Sequence, residues 1–255
     1  MTENIITEIE DGILTITISR PERKNALTTS MYESLSEALA TSEHDDDVRV
    51  IVLTGNGADF TAGNDLRDFL DFGKSSSDYP PIEFIKQLAG TSKPVVAAVH
   101  GSAIGIGTTL LFHCDIVVVA EDARFQLPFV NLGLSPEAAS SLLVPRLAGL
   151  HLASELFLTG RPFGSETAWR CGFVNKIVER DEVDTEARRF ASRISSFPLA
   201  SVLLTKKLIR APLREQINSV MDTETDHFAR RLESPEAREA FTAFFEKRPA
   251  DFSGF

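Results

Sequence analysis

The sequence predicts an α/β protein in which helices cover a mostly parallel β-sheet, followed by a helical C-terminal region. Short runs of β-branched residues, such as "VRVIVLTGNG" at residues 48–57, alternate with segments of helical spacing. This alternation is typical of parallel strands joined by crossover helices. It ends near Glu137, beyond which helical spacing dominates. The length of 255 residues, 43% of them hydrophobic, fits one large domain with a sizeable core.

The first two elements are predicted by short-range signals. "IITEIEDGILTITISR" at residues 5–20 alternates apolar and polar residues around a central Asp-Gly pair, which predicts an antiparallel hairpin. "NALTTSMYESLSEALATSEHD" at residues 25–45 places its large apolar residues at helical spacing. Thr28 or Thr29 is the predicted cap of this helix.

Two more buried strands are predicted at residues 91–101, "TSKPVVAAVHG", and at residues 114–122, "CDIVVVAED". The segments after Glu137 are all predicted to be helices, and they cover residues 138–160, 164–172, 181–196, 198–210 and 213–248. We therefore expect a core over residues 1–195 and a helical region over residues 196–255 that supports oligomerisation.

Composition excludes several classes of function. The net charge of −11 argues against nucleic acid or an anionic membrane as the main partner. Cys114 and Cys171 are too few for a disulfide framework, and the acidic N-terminal segment lacks the pattern of a secretory signal. The apolar stretch at residues 94–120 is interrupted by polar residues and glycines, so we expect buried elements and a cytoplasmic protein. No metal site is expected, because the histidines have no ligand spacing; they are His44, His100, His113, His151 and His227.

A first candidate ligand site lies in "GADFTAGNDLRDF" at residues 57–69. A predicted strand ends just before it, and "AGND" is expected to open a helix with Asp65 and Asp68 in its first turn. The small residues Ala62 and Gly63 allow a ligand to approach the main chain closely. The alternative is a capped junction between a loop and a helix, with no ligand.

A second candidate site is the glycine turn in "HGSAIGIGTTLLFH" at residues 100–113. A strand, a turn with Gly105 and Gly107, and a helix would aim unpaired N–H groups at one point. The turn lacks the lysine of a phosphate-binding loop and the third glycine of the dinucleotide fingerprint. Bare N–H donors suit an oxygen that becomes negative only during a reaction, such as the enolate oxygen of a thioester. The alternative is that the glycines only let a helix pack on a sheet.

Five segments taken in order resemble the enoyl-CoA hydratase/isomerase family, the crotonases. They are "RPERKNAL" (20–27), "FTAGNDL" (60–66), "HGSAIGIG" (100–107), "CDIVVVAEDARFQLPFVNLGLSP" (114–136) and "FFEKRPADF" (244–252). The resemblance implies the crotonase fold, a spiral of ββα turns that forms two sheets surrounded by helices. It also implies a homotrimer or a dimer of trimers, and an acyl-CoA substrate.

In this family two backbone N–H groups bind the thioester carbonyl, and the resemblance assigns them to Asn64 and Ile106. Hydratases of the family use two glutamates to deliver water, but the matching positions hold Thr109 and Phe129. Neither side chain can take a proton from water at neutral pH, which argues against hydration by the usual route.

Glu137 matches the position of the single catalytic acid in the peroxisomal type of Δ3,Δ2-enoyl-CoA isomerases. The alternative is structural, because Ser135, Pro136 and Glu137 also form an ordinary helix start. As the catalytic acid, Glu137 would move a proton from C2 of a 3-enoyl-CoA to C4. Phe129 would keep water away from the product.

The resemblance also predicts which residues contact the substrate. These are Ala62, Gly63, Asp65, Leu66, Gly105, Gly107 and Phe129, with Arg23, Lys24, Arg67 and Lys247 as candidates for the CoA phosphates. The alternative for each cation is a solvated surface charge. No cofactor is expected apart from the coenzyme A that belongs to the substrate. The expected activity is 3-enoyl-CoA isomerisation, and the rivals are hydration, another crotonase reaction, or acyl-CoA binding without turnover.

Overall fold

A computed structural model describes residues 3–71 and 80–255. The chain opens with the predicted hairpin, in which β1 (Ile5–Glu10) pairs antiparallel with β2 (Ile13–Ile18). Asp11 and Gly12 both have positive φ, 54° and 78°, as the tightest two-residue hairpin turn requires. The hairpin prediction is therefore confirmed.

The main sheet has six strands in the order β1-β2-β3-β4-β6-β9. The other four strands are β3 (Val50–Gly55), β4 (Val95–Val99), β6 (Ile116–Ala120) and β9 (Lys176–Val178). From β2 onwards every pairing is parallel. All residues of β3 and β4 are buried, because both faces of the sheet are covered.

The second sheet that the family resemblance implies is present, but its three short strands were not located from the sequence. It consists of β5 (Ser102–Ile104), β7 (Arg124–Gln126) and β8 (Phe163–Gly164). Strands of two or three residues carry too little alternation to be recognised from sequence. No strand was predicted beyond Glu137 either, but β8 and β9 lie there.

The helices of the first half follow the strands. They are α1 (Thr29–Glu43), α2 (Leu66–Asp71), α3 (Pro80–Gly90) and α4 (Ile106–Thr109), and a 3-10 helix (Leu110–His113) continues α4. The cap of α1 is Thr28, whose side chain accepts a hydrogen bond from the Met31 N–H. Asp68 lies in the first turn of α2, whereas Asp65 precedes the helix and accepts from the Arg67 N–H, so its predicted position inside the helix is wrong.

The helices of the second half are α5 (Ser140–Ala148), α6 (Leu150–Thr159), α7 (Ser165–Arg170), α8 (Val183–Ser195), α9 (Leu199–Leu232) and α10 (Pro235–Glu246). Two helices were predicted on either side of Pro212, but α9 is continuous over 34 residues. Its later part packs on the core through Ile217, Met221 and Phe228. Within the described residues no helix has the length and apolar character needed to cross a bilayer.

The predicted boundary between residues 195 and 196 falls in the connection between α8 and α9. Residues 1, 2 and 72–79 of the predicted core lie outside the described residues. The division into two domains stays a prediction. Both α9 and α10 contribute residues to the same buried cluster as the sheet.

Candidate active site

Glu137 lies in a turn and not at a helix start. The next helix, α5, begins three residues later at Ser140, whose N–H donates to the Glu137 carbonyl oxygen at 3.0 Å. The Ser135 hydroxyl, predicted as a cap under the structural alternative, is buried without a hydrogen-bond partner in the described part of the chain. The helix-start interpretation of Ser135, Pro136 and Glu137 is therefore wrong, and the position of Glu137 needs another explanation.

The turn after Glu137 has an unusual backbone. Ala138 and Ala139 both adopt the left-handed conformation, with φ of 60° and 54°. A residue with a β-carbon accepts this conformation at a cost of roughly 1–2 kcal/mol. The buried imidazole of His113 holds the turn, because its Nε2 lies 2.8 Å from the Ala138 carbonyl oxygen. The turn fixes the direction in which the Glu137 side chain projects from the main chain.

The Glu137 carboxyl group is poorly solvated. Burial, and secondly the negative charge of Glu224, raise the pKa of Glu137 from 4.5 to about 8, while the Thr109 hydroxyl acts in the opposite direction. The Thr109 Oγ1 donates to Glu137 Oε1 across 3.5 Å. A carboxyl group with a raised pKa is well suited to accept a proton from carbon and to return it.

Glu137 borders a small, mainly apolar cavity of about 30 Å³. Its walls come from α3, the start of α4, the Glu137 turn and α9, and the lining residues are Pro81, Ile82, Ile85, Ile106, Glu137, Ala138, Met221, Thr225 and Phe228. The structure therefore brings together Glu137 and Ile106, two residues that sequence analysis assigned to the reaction.

The turn that carries Asn64 is held by strand-like bridges on both sides. Leu27 bridges to Asn64, and Thr61 bridges to Ala103 in the strand before the glycine turn. Gly63 has φ of +87°, and a β-carbon on it would lie 2.6 Å from the Ile104 carbonyl oxygen. Only glycine allows this contact, so the conformation of residues 61–64 depends on Gly63.

The second turn leads into α4. Gly105 precedes the helix with φ of 57°, and Ile106 is its first residue, so the Ile106 N–H has no acceptor within the helix. A β-carbon on Gly107 would lie 2.7 Å from Thr61 Cγ2 and 2.9 Å from the Thr61 carbonyl oxygen. The two turns are thus packed directly against each other. Among the described backbone contacts outside helices and strands, neither Asn64 nor Ile106 donates its N–H to the protein.

Several residues that support this site were missed by sequence analysis. Tyr32 in α1 is buried, and its hydroxyl donates to Asn64 Oδ1 at 2.5 Å. Asn25 is fully buried, and its side-chain amide donates to the carbonyl oxygens of Asn56 and Asp59. The one sequence signal for Asn25 is its place in the "NAL" of the "RPERKNAL" segment. Position 25 has a left-handed backbone conformation, which Asn accepts better than most residues.

Two other predicted contact residues have protein partners. Asp65 forms an ion pair with Arg20, with 2.8 Å between Oδ2 and Nη1. Phe129 is buried and stacks on Phe157 at a centroid distance of 6.3 Å. It is not among the residues that line the cavity beside Glu137, and its role in excluding water stays a prediction.

The four predicted CoA-binding cations are all exposed. The Lys24 carbonyl oxygen accepts from the Ala62 N–H at 2.9 Å, which brings Lys24 beside the Asn64 turn. The Arg67 guanidinium lies over the ring of Phe245 in α10, 5.9 Å from the ring centroid. Phe245 is two residues before Lys247. Arg23 lies in the short 3-10 helix just before Lys24. Arg67 and the C-terminal end of α10 therefore meet on one side of the molecule.

Comparison with known proteins gives a consistent result. The family model described as enoyl-CoA hydratase/isomerase matches residues 8–254. The chain is 34% identical to 1,2-epoxyphenylacetyl-CoA isomerase of Escherichia coli over all of both chains. It is 33% identical to enoyl-CoA delta isomerase 2 of Rattus norvegicus, over 97% of this chain and 64% of the rat protein. Crotonyl-CoA hydratase of Syntrophomonas wolfei is also 33% identical, over 98% of each chain.

Solved structures agree with this result. An enoyl-CoA hydratase/isomerase from Pseudoalteromonas atlantica has a TM-score of 0.93 at 41% identity, over 98% of this chain and all of the other. Pseudomonas aeruginosa OdaA has a TM-score of 0.93 at 45% identity, over 95% and 99% of the two chains. The predicted ββα spiral with a helical C-terminal region is confirmed by these structures.

Proposed function

Since the chain belongs to the enoyl-CoA hydratase/isomerase family, we propose that it converts 3-enoyl-CoA thioesters to 2-enoyl-CoA thioesters. One observation carries the proposal: among the described residues lining the cavity, Glu137 supplies the only carboxyl group, and it stands beside Ile106. Isomerisation needs one group that removes and returns a proton, whereas the usual hydration needs two carboxylates. This matches the composition of the cavity wall.

In the proposed reaction the thioester oxygen binds between the N–H groups of Asn64 and Ile106. The hydrogen bonds from these donors become stronger as the oxygen gains negative charge, so they stabilise the enolate more than the bound substrate. A single donor of this kind contributes about 2.7–4 kcal/mol in other enzymes. The packing of Gly63 against Ile104 and of Gly107 against Thr61 keeps both donors fixed before the substrate arrives.

Glu137 then removes the proton from C2 as the C2–H electron pair moves into the dienolate. The same carboxyl group returns the proton to C4, and the double bond moves from C3–C4 to C2–C3. Its pKa of about 8 makes Glu137 a stronger base than an ordinary carboxylate. The apolar side chains around it slow exchange of the transferred proton with water.

The hydratase positions support the same choice. Thr109 and Phe129 carry no carboxyl group, and the Thr109 hydroxyl is hydrogen-bonded to Glu137. Two relatives are named as isomerases of CoA thioesters and four as hydratases, so names alone do not choose between the reactions. Substrate contacts with Ala62, Leu66 and the exposed cations belong to the same proposal.

A trimer, or a dimer of trimers, also belongs to the proposal. The first half of α9 exposes Leu204, Leu208 and Ile209 to a large extent. An exposed apolar stripe on a long helix suits contact with a second copy of the chain. The continuation of α9 reaches the cavity through Met221 and Phe228, so the contact and the site lie on one helix.

The test uses purified protein with a 3-enoyl-CoA and, separately, a 2-enoyl-CoA. The proposal expects the 3-enoyl substrate to gain the absorbance of a conjugated thioester, and the 2-enoyl substrate to form little 3-hydroxyacyl-CoA. Rapid formation of the 3-hydroxy product from the 2-enoyl substrate would support hydration instead. Binding of both thioesters without turnover would show that the protein binds acyl-CoA and catalyses neither reaction.

A further inference from the structure

Glu224 in α9 is a buried carboxyl group that the proposed reaction does not use. Only 7% of its surface is exposed. Its Oε1 accepts the Ser141 N–H at 2.9 Å, while Oε2 is buried without a hydrogen-bond partner in the described residues. Burying a carboxylate with an unsatisfied oxygen is costly, so packing alone does not explain this residue.

Glu224 holds the start of α5, the helix that directly follows the strained turn. The first N–H groups of a helix lack internal acceptors and favour a negative charge. Glu224 reaches from α9 to the first turn of α5 and supplies that charge at Ser141. His113 holds the Ala138 carbonyl oxygen. Together these contacts fix the left-handed pair that directs Glu137 towards the cavity.

Glu224 also acts on Glu137 through its charge. After burial, it is the next cause of the raised pKa of Glu137, and burial also raises the pKa of Glu224 itself. The Thr109 hydroxyl faces Glu137 from α4, and His113 from the 3-10 helix is neutral near pH 7, because burial lowers its pKa to about 4. The cavity residues from α3 and the rest of α9 carry no charge, and they are Pro81, Ile82, Ile85, Met221, Thr225 and Phe228.

We propose that Glu224 is a positioning residue that fixes the Glu137 turn and, through its negative charge, strengthens Glu137 as a base. This inference rests on the proposed isomerase function. It assigns two separable effects to one side chain, since the hydrogen bond to Ser141 needs only an oxygen acceptor, whereas the effect on basicity needs the charge.

Two variants separate these effects. Glu224→Gln keeps an acceptor for the Ser141 N–H and removes the charge. In wild type, kcat/KM for a 3-enoyl-CoA should rise with pH as Glu137 loses its proton. In Glu224→Gln this rise should move to lower pH, and the plateau should fall because the base is weaker. Glu224→Ala also releases the turn and should lower kcat by about 10²-fold, with a smaller change in KM, because the base is misplaced.

Asp226→Asn is the matched control, because it removes a carboxylate from an exposed position on the same helix, one that faces away from the site. It should keep the wild-type pH profile. Circular dichroism and thermal unfolding of each variant check that the fold is retained. A Glu224→Gln profile identical to that of wild type would overturn the inference, and so would wild-type kcat in Glu224→Ala.

A second measurement separates this inference from the proposed function. The difference in unfolding free energy between Glu137 and Glu137→Gln proteins reports the ionisation of Glu137 without substrate. When Glu224 is replaced by Gln, that difference should stop growing at a lower pH, because only the pKa of Glu137 in the folded state changes. If wild type fails to isomerise any 3-enoyl-CoA, the proposed function is wrong. An unshifted stability curve would then still refute the action of Glu224 on Glu137, and a shifted one would support it.

Discussion

Replacing Glu137 with glutamine removes an ionisable group from the cavity but keeps its size and one oxygen acceptor. Burial and the charge of Glu224 raise the pKa of Glu137 from 4.5 to about 8. A pKa that is higher in the folded state than in the unfolded state stabilises the fold only while the group is protonated. This contribution is full below about pH 4.5 and is lost as the pH rises towards about 8.

The size of the effect follows from these values. Each pH unit within this range corresponds to about 1.4 kcal/mol of unfolding free energy. By pH 7, wild type should therefore have lost about 3 kcal/mol that the glutamine variant keeps. The same variant should lose about 10²–10⁴-fold in kcat, because its amide cannot accept the C2 proton. Glu137→Gln is thus expected to be more stable and nearly inactive.

The assay is urea unfolding of both proteins at pH 5, 7 and 8.5, at one protein concentration, together with kcat for a 3-enoyl-CoA. Glu233→Gln, an exposed change at the end of α9, serves as the control and should alter neither quantity. The stability gain of Glu137→Gln should be small at pH 5 and larger at pH 7. Equal stability of the two proteins at all three pH values, or full activity of Glu137→Gln, would refute the reasoning.

Three other predictions follow from the structure. Gly63→Ala should lower both the unfolding free energy, by about 1–3 kcal/mol, and kcat. Its β-carbon would lie 2.6 Å from a carbonyl oxygen, and φ at this position is +87°. Gly90→Ala is the control and should change neither quantity, because the atom nearest to its β-carbon would be 3.8 Å away. Tyr32→Phe should lower kcat/KM by a factor that corresponds to about 1 kcal/mol, because the Asn64 side chain loses its donor; an unchanged value in steady-state assays would contradict this role. Leu208→Glu should reduce the mass measured by light scattering to that of one chain, and an unchanged oligomer would exclude this part of α9 as the contact.

The sequence correctly predicted the elements whose conformation depends on interactions between residues close together in the chain. The Asp-Gly pair of the hairpin and the Thr28 cap of α1 each act within a few residues, and both are found where predicted. The strands of the second sheet, each two or three residues long, were missed, because their stability comes from pairing with distant segments and not from their own pattern. Pro212 was expected to end a helix, yet tertiary packing carries α9 through it.

The candidate site shows the same division. Glu137, Asn64 and Ile106 were identified through the family resemblance, which depends on motifs that are contiguous in sequence. Tyr32 and Glu224 were missed, since their contacts with Asn64 and Ser141 cross 32 and 83 residues.

The turn after Glu137 was also mispredicted. Ala138 and Ala139 are strong helix formers, and the sequence places them inside a predicted helix. In the folded chain both are left-handed, because His113 and Glu224 hold them there. Intrinsic propensity gave the wrong answer at the point where neighbouring elements impose the backbone conformation.

The left-handed alanines have a consequence for engineering this protein. Glycine at position 138 or 139 would avoid the steric cost of a β-carbon, about 1–2 kcal/mol per residue, and glutamine at 137 would remove a penalty at neutral pH. A search for heat-resistant variants guided by melting temperature alone would therefore collect changes in this tripeptide and select against turnover. Libraries for this scaffold should keep residues 137–139 constant and seek robustness elsewhere.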